Sequence, residues 1–206
     1  RKVVFELQSV TDLPLQIDTA DPIAMEAALR IYNGKAMINS VNGKADSMSA
    51  VFPIVKKYGG VCVALTLDEN GIPDTAQGRV EIARKILCEA QKYGIEKKNI
   101  IFDTLTMAVS ADPNAARVTL DALKMISSEL GANTVLGVSN VSFGLPNRDI
   151  LNGVFFASAL ECGLDAAIMN PYSAEMMKAY RAYLALMGLD ESCAEYIKFS
   201  QSVTAE

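Results

Sequence analysis

Six short apolar runs, each ending in a polar residue and separated by stretches long enough for a helix, set the architecture of this chain. They are Pro14 to Thr19 (PLQIDT), Lys35 to Ser40 (KAMINS), Val61 to Thr66 (VCVALT), Asn99 to Thr104 (NIIFDT), Thr134 to Asn140 (TVLGVSN) and Asp165 to Asn170 (DAAIMN). Near-continuous apolar runs of this length read as strands buried on both faces, and hence as a parallel sheet. The helical stretches are expected to stop just before Gly34, Gly59, Gly94, Gly131, Gly163 and Gly188, where glycine takes the left-handed conformation that closes a helix. The result is serial βα architecture.

In a βα barrel the C-terminal rim of the strands carries the chemistry and the opposite rim serves stability. Asp18, Asn39, Asp103, Asn140 and Asn170 all fall at that rim in this register. One such residue usually caps a helix or forms a turn. Five carboxylates and carboxamides converging on one mouth point instead to a binding site.

At 206 residues and 50% hydrophobic content the chain has the material for one large core. No apolar stretch reaches membrane-spanning length and no leader-like segment opens the chain, which makes a soluble, cytoplasmic protein the expectation. The net charge of -5, with no basic cluster longer than Lys56-Lys57 or Lys97-Lys98, argues against nucleic acid or an anionic membrane as partner. Cys62, Cys88, Cys162 and Cys193 show no CxxC spacing and read as reduced, structural thiols. There is no histidine, so histidine general acid/base chemistry, Ser-His-Asp triads and histidine metal sites are excluded within the chain, and no metal site is expected.

Asp21-Pro22 and Asp112-Pro113 each place a capping carboxylate before a proline at the first helical position. The helix after Asp112 carries Val118, Leu120, Leu123, Ile126 and Leu130 near one face, and the helix after Thr75 carries Ile82, Ile86, Leu87 and Ala90. Pro53, inside the helix expected over Asp46 to Tyr58, predicts a kink or a late start. Arg1 to Thr11 reads as a helix feeding the first strand, with Val3, Val4, Leu7 and Val10 at helical spacing. An eight-stranded barrel needs two more βα units, which are expected to precede Arg1. An open, doubly wound six-stranded sheet is the competing architecture, but no Gly-rich phosphate loop joins the first strand to a helix, and Gly59-Gly60 precedes a strand.

Taken together, PLQIDT, KAMINSVNG, LTLDENGIPDT, IIFDTLTMAVSAD, TVLGVSNVSFGLPNR and GLDAAIMNP resemble the pterin-binding, methyltetrahydrofolate domain of cobalamin-dependent methionine synthases and the related methyltetrahydrofolate:corrinoid protein methyltransferases. The likeness runs in order from Leu13 to about Met187, and GVSNVSFGLPNR is its most specific element. It implies a TIM (β/α)8 barrel of the dihydropteroate synthase-like type with about six of the eight units present, residues 1–206 forming one N-terminally incomplete pterin-binding domain.

A reduced pterin presents a row of ring N–H, amino and carbonyl groups, and a dry pocket recognises that row by pairing all of it. An ionised Asp accepts from an amino group and a neighbouring ring N–H together. By the resemblance, Asp103 takes that edge, with Asp18 and Asn39 completing the ring contacts. Departure of a methyl group from N5 requires that the charge developing on nitrogen be neutralised. The resemblance assigns this to Asn140, as a polar stabiliser able to rotate as N5 changes protonation, and places Arg148 near the pterin. The alternative for Arg148 is a salt bridge on a helix surface. Asn170 is a weaker candidate for lining the mouth, since Asn-Pro also initiates turns. Asp68 and Asn70 read as a turn, and Ser139 and Ser142 as hydrogen-bond donors.

The implied function is binding of 5-methyltetrahydrofolate as substrate and transfer of its methyl group to the Co(I) of a cobalamin carried by another domain or a corrinoid protein, in methionine synthesis. A dihydropteroate synthase-like enzyme and a non-catalytic folate-binding module are the alternatives. The first is disfavoured because Ser139-Asn140 stands where that family carries basic residues for pyrophosphate. Two unpaired sheet edges leave room for a homodimer.

Overall fold

A computed structural model describes residues 1–203. Six strands, β1 (Gln16–Asp18), β2 (Met37–Asn42), β3 (Val61–Leu65), β4 (Ile100–Asp103), β5 (Asn133–Gly137) and β6 (Ala166–Ile168), form one sheet in sequence order. Every neighbouring pair is parallel. The helices are α1 (Lys2–Val10), α2 (Pro22–Leu29), α3 (Ala45–Tyr58), α4 (Ala76–Lys92), α5 (Ala115–Met125), α6 (Arg148–Glu161), α7 (Ala174–Leu186) and α8 (Ala194–Val203).

Strand order decides between the two expected architectures. A doubly wound sheet reverses its order at a switch point, whereas here the order never reverses, and right-handed crossovers then put the connecting helices on one face. Side-chain parity agrees. Ile38, Cys62, Ala64, Ile100 and Phe102 share a core with Met25, Phe52, Val55 and Ile86 of the helices. The alternate residues Val63, Ile101 and Val135 form a separate buried cluster, packed against Met37, Val61, Leu65 and Ala166. The second cluster lines the inside of a curled partial barrel, six βα units of the eight. A third core, with Leu123, Leu136, Phe155, Phe156 and Met176, packs α5, α6 and α7 onto β5.

Local signals hold where neighbouring residues settle them. Asp21 caps α2 by accepting from the Ile23 amide at 2.9 Å, with Pro22 at the first helical position. Thr75 caps α4 by accepting from Gly78 N at 3.2 Å. Gly59 ends α3 in the left-handed region, and Gly94, Gly131, Gly163 and Gly188 also have positive φ beyond helix ends.

Four expectations need correction. α5 begins at Ala115, because the Asp112 carboxylate accepts from Asn114 N in a turn before the helix rather than capping its first turn. α3 starts at Ala45 and runs through Pro53, so no late start occurs. Gly34 lies beyond Arg30, where α2 already ends. In α1 only Val4 is buried, and Val3 and Val10 are 69% and 79% exposed, so most of its apolar stripe meets no core among the described residues.

Candidate functional site

The parity that lines the barrel also aims the candidate residues. Asp18 follows Ile17, Asn39 follows Ile38 and Asp103 follows Phe102, and those three neighbours belong to the helix-facing core. Because successive strand residues point to opposite faces, Asp18, Asn39 and Asp103 project to the inner face; Asp18 and Asp103 end β1 and β4, whereas Asn39 lies midway along β2, which continues to Asn42 rather than ending at Ser40. Asp18 pairs in register with Asn39, and Asp103 with Leu65 of β3 and Val135 of β5. A register shift after Asn39 turns the end of β2, so that Val41 rather than Ser40 pairs with Ala64.

Asp18 and Asn39 share a cavity of about 490 Å³ with Thr19, Asn42, Asp46 and Leu65. Neither has a side-chain hydrogen bond to another described residue. Neither caps a helix: Asp21 caps α2, and α3 begins without a side-chain cap, Asn42 accepting from the Lys44 amide just before it.

Asp103 is held from both sides. Its carbonyl oxygen accepts from the amide and the hydroxyl of the buried Thr66, each at 3.1 Å. Its Oδ1 accepts from the Leu105 amide at 2.7 Å, a turn closed by Leu105 at φ +64. Oδ2 has no hydrogen-bond partner among the described residues. Desolvation pushes the carboxyl up to about 6, against the opposing pull of the Leu105 amide and the Arg79 guanidinium. At neutral pH the group is still ionised.

Asn140 does not end a strand. β5 stops at Gly137, and Asn140 sits in a 3-10 turn over Val138–Ser142. Its carbonyl oxygen accepts from Phe143 N, while its carboxamide makes no hydrogen bond within the described chain. Arg148, the first residue of α6, forms no salt bridge to another described residue. Its Nε donates to Ser142 Oγ at 3.0 Å, its Nη2 donates to the Ser139 carbonyl at 2.8 Å, and the guanidinium lies 4.7 Å from the Phe143 ring centroid. Ser142 in turn donates to the buried Asn152 at 2.7 Å. Arg148 therefore braces the turn that carries Asn140, and it lines a separate polar cavity of about 610 Å³ with Ser139, Asn147 and Asn152.

Asn170 is exposed, two residues past β6, and its Oδ1 accepts from the Tyr172 amide, so the turn-forming role is the one the structure displays. Asp68 and Asn70 form a turn in which Asp68 accepts from the Asn70 amide. Cys62 is buried and its thiol is pushed up to about 12, whereas Cys88 and Cys193 are exposed rather than core residues; all four are free. Among the described residues no cluster of His, Cys, Asp or Glu could hold a metal, and no helix is long and apolar enough to cross a membrane.

One residue at the site was not anticipated. Arg79, 3% exposed, reaches from α4 to the loop that follows Asp103. Its spacing carried a signal, since Arg79, Ile82, Ala83, Ile86 and Ala90 share the buried face of α4.

Sequence comparison assigns the chain to a family. The family model described as pterin binding enzyme covers residues 1–170. The chain belongs to the pterin-binding enzyme family. It is 31% identical over 197 residues to a methylcorrinoid:tetrahydrofolate methyltransferase of Eubacterium limosum, covering 93% of this chain and 72% of that protein. It is 33% identical over 177 residues to a methionine synthase of Mycobacterium tuberculosis, covering 80% of this chain but only 15% of that protein's length. Among solved structures, this pterin-binding chain resembles dihydropteroate synthase from Yersinia pestis, with TM-score 0.71 and 15% identity over 91% of this chain and 77% of that one. It also resembles the dihydropteroate synthase of Xanthomonas albilineans in complex with 7,8-dihydropteroate, with TM-score 0.68 and 21% identity over 90% and 71%. Likeness at such identity speaks to the barrel alone.

Proposed function

We propose that this chain binds 5-methyltetrahydrofolate at the C-terminal rim of its strands and passes the N5 methyl group to the Co(I) centre of a corrinoid held by another domain or protein. The observation that carries this reading is a set of polar groups with no hydrogen-bond partner among the described residues on a pterin-binding barrel: the inward-facing side chains of Asp18 and Asn39, Oδ2 of the inward-facing Asp103, and the Asn140 carboxamide in the turn after β5. The two kinds of relative at 31% and 33% identity support the reaction class.

In this reading the pterin lies with its amino-pyrimidine edge against Asp103. A fixed, ionised carboxylate oxygen there accepts hydrogen bonds that water would otherwise provide, and leaving either side unpaired is costly. Asp18 and Asn39 take the remaining ring groups. The Asn140 carboxamide, able to donate or accept after rotation, stabilises N5 as its bond to the methyl carbon breaks and its electron pair returns to nitrogen. The corrinoid supplies the nucleophile, and this chain supplies orientation and exclusion of water. The same groups serve the reverse transfer, from a methylcorrinoid to tetrahydrofolate, which is the direction in the name of the Eubacterium relative. Delivery of the methyl group into methionine is the finer reading, supported by the methionine synthase relatives.

The test is single-turnover methyl transfer between 5-methyltetrahydrofolate and cob(I)alamin by the intact protein, followed by cobalamin absorbance, alongside calorimetric binding of the folate. Binding with transfer supports the proposal. Folate binding without transfer makes the chain a binding module, and binding of a pterin pyrophosphate in place of the methylated folate points to dihydropteroate synthase chemistry.

A further inference from the structure

The Asp103 carboxylate owes its orientation to a turn that cannot hold itself. Leu105 sits at φ +64, a left-handed conformation that residues other than glycine rarely adopt. The N–H of the Thr104–Leu105 peptide meets Asp103 Oδ1 at 2.7 Å. Such strain persists where surrounding structure over-determines it.

Arg79 supplies that determination. Its Nη1 donates to the carbonyl oxygens of Thr104 at 2.6 Å and Leu105 at 2.9 Å, the two peptide units that follow Asp103, and lies 3.1 Å from Thr119 Oγ1. Its Nε donates to the Pro73 carbonyl at 3.0 Å, which ties the same guanidinium to the loop before α4. Thr104 donates its hydroxyl to the Thr119 carbonyl on α5. A buried arginine with carbonyl and hydroxyl partners but no ion pair keeps its charge, because the guanidinium does not release its proton in a protein. The charged groups that act on it are Asp103 and Asp74.

We propose that Arg79 is a positioning residue for pterin recognition: by gripping the carbonyls of Thr104 and Leu105 it holds the turn that aims Asp103. This rests on the assignment of Asp103 to the pterin edge. Arg79 itself, buried behind the turn, acts through Asp103.

The test uses the intact protein and three variants, Arg79→Met, Arg79→Lys and Asp103→Asn. It reads the Asp103 carboxyl titration by carbon-13 NMR in the absence of ligand, with the Asp103→Asn spectrum as the assignment control, and 5-methyltetrahydrofolate affinity by calorimetry. In Arg79→Met the midpoint is expected to rise from about 6, since the guanidinium lowers it, and folate affinity at pH 7 is expected to fall about tenfold, mainly because the carboxylate is no longer aimed. Arg79→Lys keeps the charge but loses the fork, so its midpoint should stay near that of the parent while affinity still falls severalfold. A folded Arg79→Met protein with unchanged midpoint and affinity overturns the inference. If Arg79→Met does not fold, Arg79→Lys decides: parental affinity in that variant overturns it. Loss of binding in Asp103→Asn together with either of those results sinks only the role of Arg79, whereas parental binding in Asp103→Asn sinks the pterin assignment beneath it.

Discussion

The Asn140 carboxamide rests over the α-carbon of Gly137: a Cβ on Gly137 would lie 3.0 Å from Asn140 Nδ2. Gly137 has φ -76, which any residue adopts, so glycine is wanted there for space. The absent side chain at the end of β5 makes room for the amide assigned to N5.

Gly137→Ala is therefore expected to displace the Asn140 amide while leaving the backbone unstrained. Methyl transfer should slow by about tenfold or more, the low end of what one misplaced polar stabiliser costs, with thermal unfolding changed little. Single-turnover rate and melting temperature measured on the same preparation check this. Parental rate in the variant would show that the amide does not act where it rests.

Asn140→Ala separates binding from catalysis. If the carboxamide acts mainly as the methyl group leaves, its loss lowers the transfer rate by on the order of 10²-fold while folate affinity falls much less. An equal loss in both would make Asn140 a binding residue only.

Asp103→Asn should weaken folate binding by about 2–4 kcal/mol, because it replaces a charged acceptor with an amide, and yet alter stability in the opposite sense. The folded carboxyl is raised from 3.8 to about 6, so the native state holds the proton over a range where the unfolded chain has lost it. Stability contributed by this group is present below about pH 4 and falls as pH rises through about 6. The Asn variant lacks that titration. Denaturant melts at pH 4.5 and 7.5 should show a smaller decline for the variant than for the parent, and an identical decline would mean Asp103 is not desolvated.

Arg148→Met removes two hydrogen bonds to the turn around Asn140. A stability loss of about 1–3 kcal/mol is expected for unpairing buried acceptors, with the transfer rate falling more than folate affinity. A fall confined to affinity, with the rate of bound substrate intact, would place the guanidinium on the pterin instead.

Residues 1–206 expressed alone leave the outer edges of β1 and β6 unpaired among the described residues, and Ile168 on β6 is 42% exposed. Open edges beside apolar surface invite pairing between chains. Light scattering should show dimers or larger species, and a cooperative, well-behaved monomer would contradict this.

The strands and the identity of the rim residues were legible in the sequence because they rest on local regularities. Strand residues alternate faces, so the polar residue after Ile17, Ile38 or Phe102 faces inward wherever the strand is placed. Asp21 before Pro22 caps a helix with groups two residues away. What depended on distant parts of the chain was not legible. Asp112, before Pro113, has the same cap pattern as Asp21, yet α5 starts later, in a loop whose Val109 amide bonds to the Val141 carbonyl. The partners of Arg148 come from the turn before α6, and those of Arg79, apart from the nearby Pro73, lie 25 to 40 residues away on another strand's loop and on α5. A long flexible cation has many possible acceptors, and only packing selects among them. The sequence by itself determined the serial βα order and the inward-facing Asp18, Asn39 and Asp103, because periodicity and capping act over a few residues. The tertiary structure decided which of the expected rim groups lack a partner among the described residues and which cation grips the loop after Asp103, because burial and hydrogen-bond pairing are set between elements far apart along the chain.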